Sequence, residues 1–299
     1  MKKQIFNLFC FILLLFSVSC DNSSKSNATD LLNDSIAEKN EKVDDELIGQ
    51  LITVVPNPLQ LSELLQKSGV VYNSDLLVPS SNISKFNTNL KKAINLGTYG
   101  SDLVHMNIYE RTVSTLTYLK NVNDLANDLK IGQFINFETL NRLSENKKNI
   151  DSILYITNSS FDKMTHYLVD EKRSNIAVLI AYGTWIENLY LATNIDAIDN
   201  IQMIYNRVGE QKVVLDNILI LLGAFKEEPK FAELLQDAEL LKIEFDKVKV
   251  TYNYVEPTMT EIDGKMVIVD NSTSSISIDE PIFKGIGKVV AMIRNKITN

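Results

Sequence analysis

The segment that most constrains this chain is residues 175–194, which are apolar almost all the way around a helix and include one formal charge, Glu187. A helix without a polar face is either buried at the centre of a fold or crosses a membrane. Glu187 near its middle would cost about 2 to 3 kcal/mol in a bilayer, and Gly183, Thr184 and Asn188 add polarity. The segment is therefore predicted to be the core helix of a helical protein.

Glu187 has two interpretations inside such a core, because a buried carboxylate needs a partner or a raised pKa. It could face a ligand beside Trp185 and Tyr190. Alternatively it is structural, satisfied by an Arg, Lys or backbone donor of a neighbouring helix or left at the bundle surface. We favour the structural alternative.

Helix-capping and helix-ending residues, together with the spacing of apolar residues, predict a mainly α fold. The expected architecture is an antiparallel multi-helix bundle with short connections. The Asn57-Pro58 cap opens a short helix that Gly69 closes. Two further helices are expected to be bent or broken at Gly97 and Gly100. The predicted helices after the first cover residues 82–96, 98–120, 137–147, 150–169, 175–193, 198–223 and 229–252.

The pattern changes after Pro257 to an alternation of period two. Residues 259–262 and 265–269 flank Asp263-Gly264, a strong hairpin signal. A third strand is possible at 274–278, and a final amphipathic helix begins near Asp279 and Pro281. These observations predict a bundle domain over 47–256 and a hairpin with a C-terminal helix over 257–299, the hairpin packing on the bundle because its edges are otherwise exposed.

A second carboxylate among apolar residues, Asp102, lies within the apolar stripe of the helix predicted over 98–120. His105 follows three residues later and Tyr109 four beyond it, so the three side chains could touch. One interpretation is an acid/base or metal-binding cluster in which Asp102 orients His105. The alternative, which we favour, is a structural carboxylate hydrogen-bonded to imidazole or phenol.

The sequence contains none of the common catalytic or metal-binding motifs, and no catalytic residue, metal site or cofactor is predicted. The chain has two histidines, and neither belongs to the Glu-x-x-His pair of a di-iron bundle, since Asp102 precedes His105 and Lys163 precedes His166. There is no zincin motif, nucleophile elbow or phosphate loop. Scattered carboxylates leave an enzyme possible, so the absence lowers its odds without excluding it.

The N-terminus has a secretory signal layout: Lys2 and Lys3, an apolar run over 5–16, and small residues ahead of Cys20. We expect a signal peptide over 1–19, lipid on Cys20 and a flexible tether over 20–46, a polar stretch too poor in apolar residues to fold. The membrane is then a partner through the lipid. The formal net charge of −8 argues against nucleic acid as a partner, because nucleic-acid binding needs basic surface to pair with phosphate.

Residues 96–103 (LGTYGSDL) and 181–193 (AYGTWIENLYLAT) resemble a family of helical lipoproteins of Bacteroidota that has no assigned activity. The small residues before Cys20 also resemble a bacterial lipobox. The resemblance implies a cell-envelope location at the outer membrane and a helical fold, and it covers about residues 55–255.

Each of the two segments that carry the resemblance contains one of these carboxylates, Asp102 in the first and Glu187 in the second. We hypothesise that these carboxylates lie close together and line one polar site, with Tyr99, His105 and Trp185 as its walls. Function is expected to be non-enzymatic, binding or scaffolding another envelope protein. The alternatives are a small-ligand sensor or carrier with a site inside the bundle and, with less support, an enzyme.

Overall fold

The chain is mainly α-helical, with a small antiparallel set of strands near the C-terminus and a final helix, as the sequence predicts. The computed structural model describes residues 43–135, 150–196, 198–199, 201–262, 265–269 and 273–299. Cys20, the signal segment, the tether up to residue 42 and the helix predicted over 137–147 lie outside these residues.

The helices are α1 (Asp45–Thr53), α2 (Pro58–Lys67), α3 (Asn89–Ile108), α4 (Thr112–Asp128), α5 (Ile150–Asp170), α6 (Ser174–Thr193), α7 (Ile201–Gly209), α8 (Gln211–Gly223), α9 (Pro229–Phe245) and α10 (Glu280–Thr298). The strands are β1 (Lys249–Asn253), β2 (Thr258–Ile262), β3 (Lys265–Val269) and β4 (Thr273–Ser277). Short 3-10 turns cover Ser74–Leu76, Ser80–Lys85 and Gly132–Phe134.

The expected break at Gly97 and Gly100 is wrong, because α3 runs through both glycines. Its N-cap is Thr88, whose hydroxyl accepts a hydrogen bond from the Lys91 amide at 3.2 Å. The chain turns instead after Ile108, where Glu110 takes a φ of 56°. Both glycines lie against other helices, Gly97 against α6 and Gly100 against Phe161 of α5.

Other boundaries also differ from the predictions. The helix predicted over 198–223 is divided at Glu210 into α7 and α8. The helix predicted over 229–252 ends at Phe245, because residues 249–253 pair with another strand. Helix α1 begins inside the predicted tether, where Asp44 caps it by accepting a hydrogen bond from the Leu47 amide at 2.7 Å. Tertiary pairing and local capping outweigh apolar periodicity at these ends.

The apolar segment forms α6 at the centre of the bundle, where it packs against α3, α10, α5, α1 and α2. Helix α6 is long and apolar enough to cross a membrane by length and composition, but 83% of its apolar window is buried inside the fold. Its side chains are covered on every side, which confirms the prediction of a core helix.

Helices α3 and α6 cross at unusually close range because glycines face backbone at the crossing. A Cβ atom at Gly97 would collide with the Ile180 carbonyl oxygen, and a Cβ atom at Gly183 would collide with the Ile94 carbonyl oxygen. Glycine is the residue that allows such an approach, since it has no side chain to occupy the gap. This contact sets the distance between the two helices that hold Asp102 and Glu187.

We expect Gly183→Ala to lower the free energy of unfolding by about 1 to 3 kcal/mol, because the added methyl group overpacks rigid backbone. Urea unfolding followed by circular dichroism measures the change. Gly223→Ala is the matched control: a Cβ there meets no atom within 4 Å, so it should leave the stability unchanged or raise it by about 1 kcal/mol. Equal losses in the two variants would contradict the close crossing.

The four strands form two separate two-stranded sheets. We call the described residues of this region, 249–262, 265–269 and 273–277, the β arm. Strands β1 and β4 pair antiparallel, and β2 and β3 pair antiparallel beyond them, with Thr258 opposite Val269. The hairpin prediction is confirmed, but the third strand pairs with β1 instead of the hairpin. The described side chains of β2 and β3, among them Met259 and Met266, are exposed, so the expected packing of the hairpin on the bundle is wrong for them.

Helix α10 begins as the sequence predicts, with the Asp279 side chain accepting a hydrogen bond from the Ile282 amide at 3.0 Å and Pro281 in its first turn. It packs against α6 and α9 and buries an apolar face that includes Phe283 and Val290. Residues Val43–Asn299 form one compact unit, and the C-terminal helix is part of its core.

Candidate functional site

The side chains of Asp102 and Glu187 lie together at the centre of the bundle. Asp102 comes from α3 and Glu187 from α6, both side chains are fully buried, and they are within hydrogen-bonding reach of each other. The glycine-mediated crossing of the two helices brings them together. Their juxtaposition is the one that the sequence hypothesis required.

Arg294 of α10 is the third member of this cluster, which we call the buried triad. Its Nε donates to one oxygen of Glu187 at 3.1 Å and its Nη2 to the other at 3.2 Å. The guanidinium carbon lies 4.4 Å from the centre of the Tyr190 ring, and Nη2 also donates to the Leu76 carbonyl at 2.8 Å. Glu187 is therefore paired as the structural interpretation expects.

Sequence reasoning did not identify Arg294, although a signal was present. Arg294 stands four residues after Val290 and eight after Ile286, on the apolar face of α10. A cation at that place in the pattern indicates a buried partner.

The buried triad contains two acids and one cation, so it is neutral if one acid keeps its proton. Desolvation raises the pKa of Asp102 well above its usual range, and the neighbouring Glu187 raises it further. Desolvation also raises the pKa of Glu187, but Arg294 opposes that rise. Asp102 Oδ1 has no hydrogen-bond donor facing it, and two carboxyl groups share a hydrogen bond when one of them is protonated. The directions of the two pKa shifts favour Asp102 as the acid that keeps the proton, with Glu187 within reach as its acceptor.

The buried triad and its neighbours bind the connection between two 3-10 turns, residues 77–79, in which Leu77 and Val78 are buried and Pro79 is exposed. The Val78 amide donates to Asp102 Oδ2 at 2.9 Å, and Arg294 binds the Leu76 carbonyl. Tyr118 donates to the Val78 carbonyl at 2.6 Å and Tyr99 to the Pro79 carbonyl at 2.8 Å. Buried backbone outside regular secondary structure needs such partners. The polar groups therefore perform a structural task that needs no ligand.

Tyr99 lies next to the buried triad, as proposed, and its pKa is raised by desolvation and by the nearby Asp102. Trp185 does not line this site. Its Nε1 donates to Gln211 at 3.1 Å, because the position two residues before Glu187 on a helix points away from it. Trp185 is accordingly corrected from a wall of the site to a core residue of the α6 and α8 interface.

His105 is also outside the triad. Its Nδ1 lies 3.4 Å from the Ser62 hydroxyl on α2, and its ring is 4.7 Å from that of Tyr109 and 6.0 Å from that of Tyr72. Burial lowers the pKa of His105 to about 4, so the imidazole is neutral at physiological pH. Asp102 binds Val78 and Glu187 instead of orienting His105, and the proposed acid/base pair is not formed.

A cleft of about 450 Å³ opens on the other side of the α3 and α6 crossing. It lies between the α1–α2 connection, the crossing and α5, and neither Asp102 nor Glu187 lines it. Its buried floor includes Ile52, Val104 and Ile180. The cleft and the buried triad are therefore separate places in the described part of the fold.

Within the described part of the chain, no three His, Cys, Asp or Glu side chains come close enough to bind a metal ion. The buried triad is almost completely shielded from solvent by the described residues, since Asp102 and Glu187 are 0% exposed and Arg294 is 6% exposed. Comparisons of the chain with protein-family models, with curated proteins and with solved structures find no match.

Proposed function

We propose that this protein is a lipoprotein of a bacterial cell envelope, anchored at the outer membrane through lipid on Cys20, and that its helical body binds another envelope protein instead of catalysing a reaction. The signal layout of residues 1–19 and the small residues before Cys20 support the anchor. The resemblance of residues 96–103 and 181–193 to helical lipoproteins of Bacteroidota supports the location. The sealed and internally paired triad supports a non-enzymatic body, because substrate has no access to it.

The observation that carries the binding function is the exposed β arm. Tyr252 is 61% exposed, Tyr254 65%, Met259 67% and Met266 62%, a concentration of large apolar side chains that water does not favour. Strands β2 and β3 pair with each other and with no further described strand. A two-stranded ribbon alone is marginally stable in water, and open edges accept an added strand. The partner is thus an extended segment of another envelope protein that pairs with the arm.

Site-specific photo-crosslinking in cells tests this function. A benzophenone amino acid at Met259 or Met266 should give one discrete adduct of higher mass, identified by mass spectrometry as the same envelope protein from both positions. Val213 on α8 and Ile243 on α9 are the matched control positions, because their apolar side chains are 61% and 59% exposed. A benzophenone amino acid at either position should give no such adduct.

A surface variant makes the test independent of folding. Met259→Asp should leave the stability within about 0.5 kcal/mol, since the side chain is exposed, and should abolish the adduct formed from position 266. If the adduct survives that charge, or appears equally from the helix controls, the arm is not the binding surface.

The anchor has its own test. Cys20→Ala should release the protein from the membrane fraction or leave it unprocessed, because the other cysteine, Cys10, lies within the expected signal peptide. Metabolic labelling with a clickable fatty acid and membrane fractionation measure this, with Cys10→Ala as the matched control that should still be labelled. A processed, lipid-labelled and membrane-bound Cys20→Ala protein would contradict the anchor.

A further inference from the structure

The cleft beside the α3 and α6 crossing has the size of a small-molecule site and a rim that is fixed in place. Its volume of about 450 Å³ falls within the range of about 300–1,000 Å³ typical of ligand pockets. The α1–α2 connection contributes Pro56 and Pro58, whose backbone φ angles are restricted. Asn57 between them caps α2 by accepting a hydrogen bond from the Leu59 amide at 2.8 Å. The cleft is therefore preformed.

The floor of the cleft is apolar and contains no charge. Ile52, Val104, Ile180 and Ala181 line it and are buried, and the ring of Phe161 lies against Gly100 at its edge. Apolar surface of this kind binds hydrocarbon through the hydrophobic effect. The ligand's body is thus apolar.

One wall of the cleft presents three unused hydrogen-bond acceptors from α5. Asp162, Thr165 and His166 all line the cleft, and Asp162 and His166 are four residues apart, hence on the same face of the helix. None of the three side chains makes a hydrogen bond or ion pair with the described residues. A carboxylate, a hydroxyl and an imidazole nitrogen match the three donors of an ammonium group.

Arg207 also lines the cleft. Its positive charge does not disfavour a bound cation, because Glu210 already pairs with it. Arg207 donates to Glu210 at 2.7 Å and to the Gln60 side chain at 3.1 Å. Among the described charged residues that line the cleft, Asp162 then remains without an ion pair. The formal net charge of −8 for the chain also favours a cation over an anion.

We propose that this cleft binds a primary ammonium group joined to an apolar body, with the ammonium against Asp162, Thr165 and His166 and the body on the apolar floor. Two sources have this chemistry, an aliphatic amine and the free N-terminus of an apolar peptide. The proposal does not depend on the β arm, so either can fail without the other.

Calorimetric titration of the purified full-length protein tests the proposal with octylammonium, octanol, octanoate and methylammonium. Octylammonium should bind saturably, and each of the other three should bind at least tenfold more weakly, because a charged hydrogen-bonded head and an apolar body are both required. Leucinamide and its N-acetyl derivative distinguish the peptide source: tighter binding of leucinamide than of octylammonium, lost on acetylation, identifies a peptide N-terminus.

Asp162→Asn should weaken octylammonium binding about tenfold or more, since it removes the charge without removing the side chain. Asp170→Asn, an exposed carboxylate on the same helix outside the cleft, is the matched control and should bind as the parent does. Octanol binding as tightly as octylammonium, no saturable octylammonium binding, or equal affinities for the two variants would each overturn the proposal.

Discussion

Replacing Arg294 with methionine is expected to lower the free energy of unfolding by about 3 to 5 kcal/mol, the range typical of removing one partner of a buried ion pair. The loss arises because Glu187 is 0% exposed and would keep a carboxylate without a counter-ion. The Leu76 carbonyl would also lose the donor that binds it at 2.8 Å. Urea unfolding at neutral pH, followed by circular dichroism, measures the effect.

Arg207→Met is the matched control, because it makes the same chemical change at a solvent-exposed pair. Arg207 and Glu210 are 35% and 46% exposed, and such pairs contribute about 0 to 1 kcal/mol. Adding Glu187→Met to Arg294→Met should recover part of the loss, since no buried charge then remains without a partner. If Arg294→Met loses no more stability than Arg207→Met, the triad does not hold the core together.

Asp102→Asn is expected to gain stability relative to the parent protein as the pH rises. The folded-state pKa of Asp102 is raised above its ordinary value of 3.8 by burial and by Glu187. Between those two pKa values the unfolded chain releases this proton and the folded chain keeps it. The parent therefore loses about 1.4 kcal/mol per pH unit from this group, whereas asparagine does not titrate.

The measurement is the difference in unfolding free energy between Asp102→Asn and the parent at several pH values from about 4 to about 7. Near pH 4 the two proteins should be similar, because an amide replaces a protonated carboxyl and can still accept from the Val78 amide. Asp102→Leu is the control: it cannot accept that hydrogen bond and should be about 1 to 3 kcal/mol less stable than Asp102→Asn at every pH. If Asp102→Asn instead becomes less stable relative to the parent as the pH rises, Asp102 is ionised in the folded protein.

Sequence reasoning reached the two acids of the triad but not its chemistry. Asp102 and Glu187 were visible as carboxylates within apolar stripes, which is a local property of a helix. Arg294 is 107 residues from Glu187 along the chain, and pairing over that separation depends on which helices are neighbours. The protonation of Asp102 depends on the same neighbours, since it follows from two acids that share one cation. Nearness in sequence to Asp102 and Glu187 is the reason for expecting His105 and Trp185 in the site. Trp185 instead lies on another face of its own helix, and His105 contacts Ser62 of α2.

By itself, the sequence determined the mainly α class, the burial of α6, the hairpin at 259–269 and the start of the last helix, because each depends on residues close together in the chain. Helix ends, the close crossing at Gly97 and Gly183, the sealed triad and the separate cleft were decided by the tertiary structure. Gly97 looks like a possible helix break in the sequence, and only the backbone of another helix packed against it shows its role. The physical reason is that propensity and periodicity act within about one or two turns of chain, whereas a charge finds its partner and a cavity its walls among residues that only folding brings together.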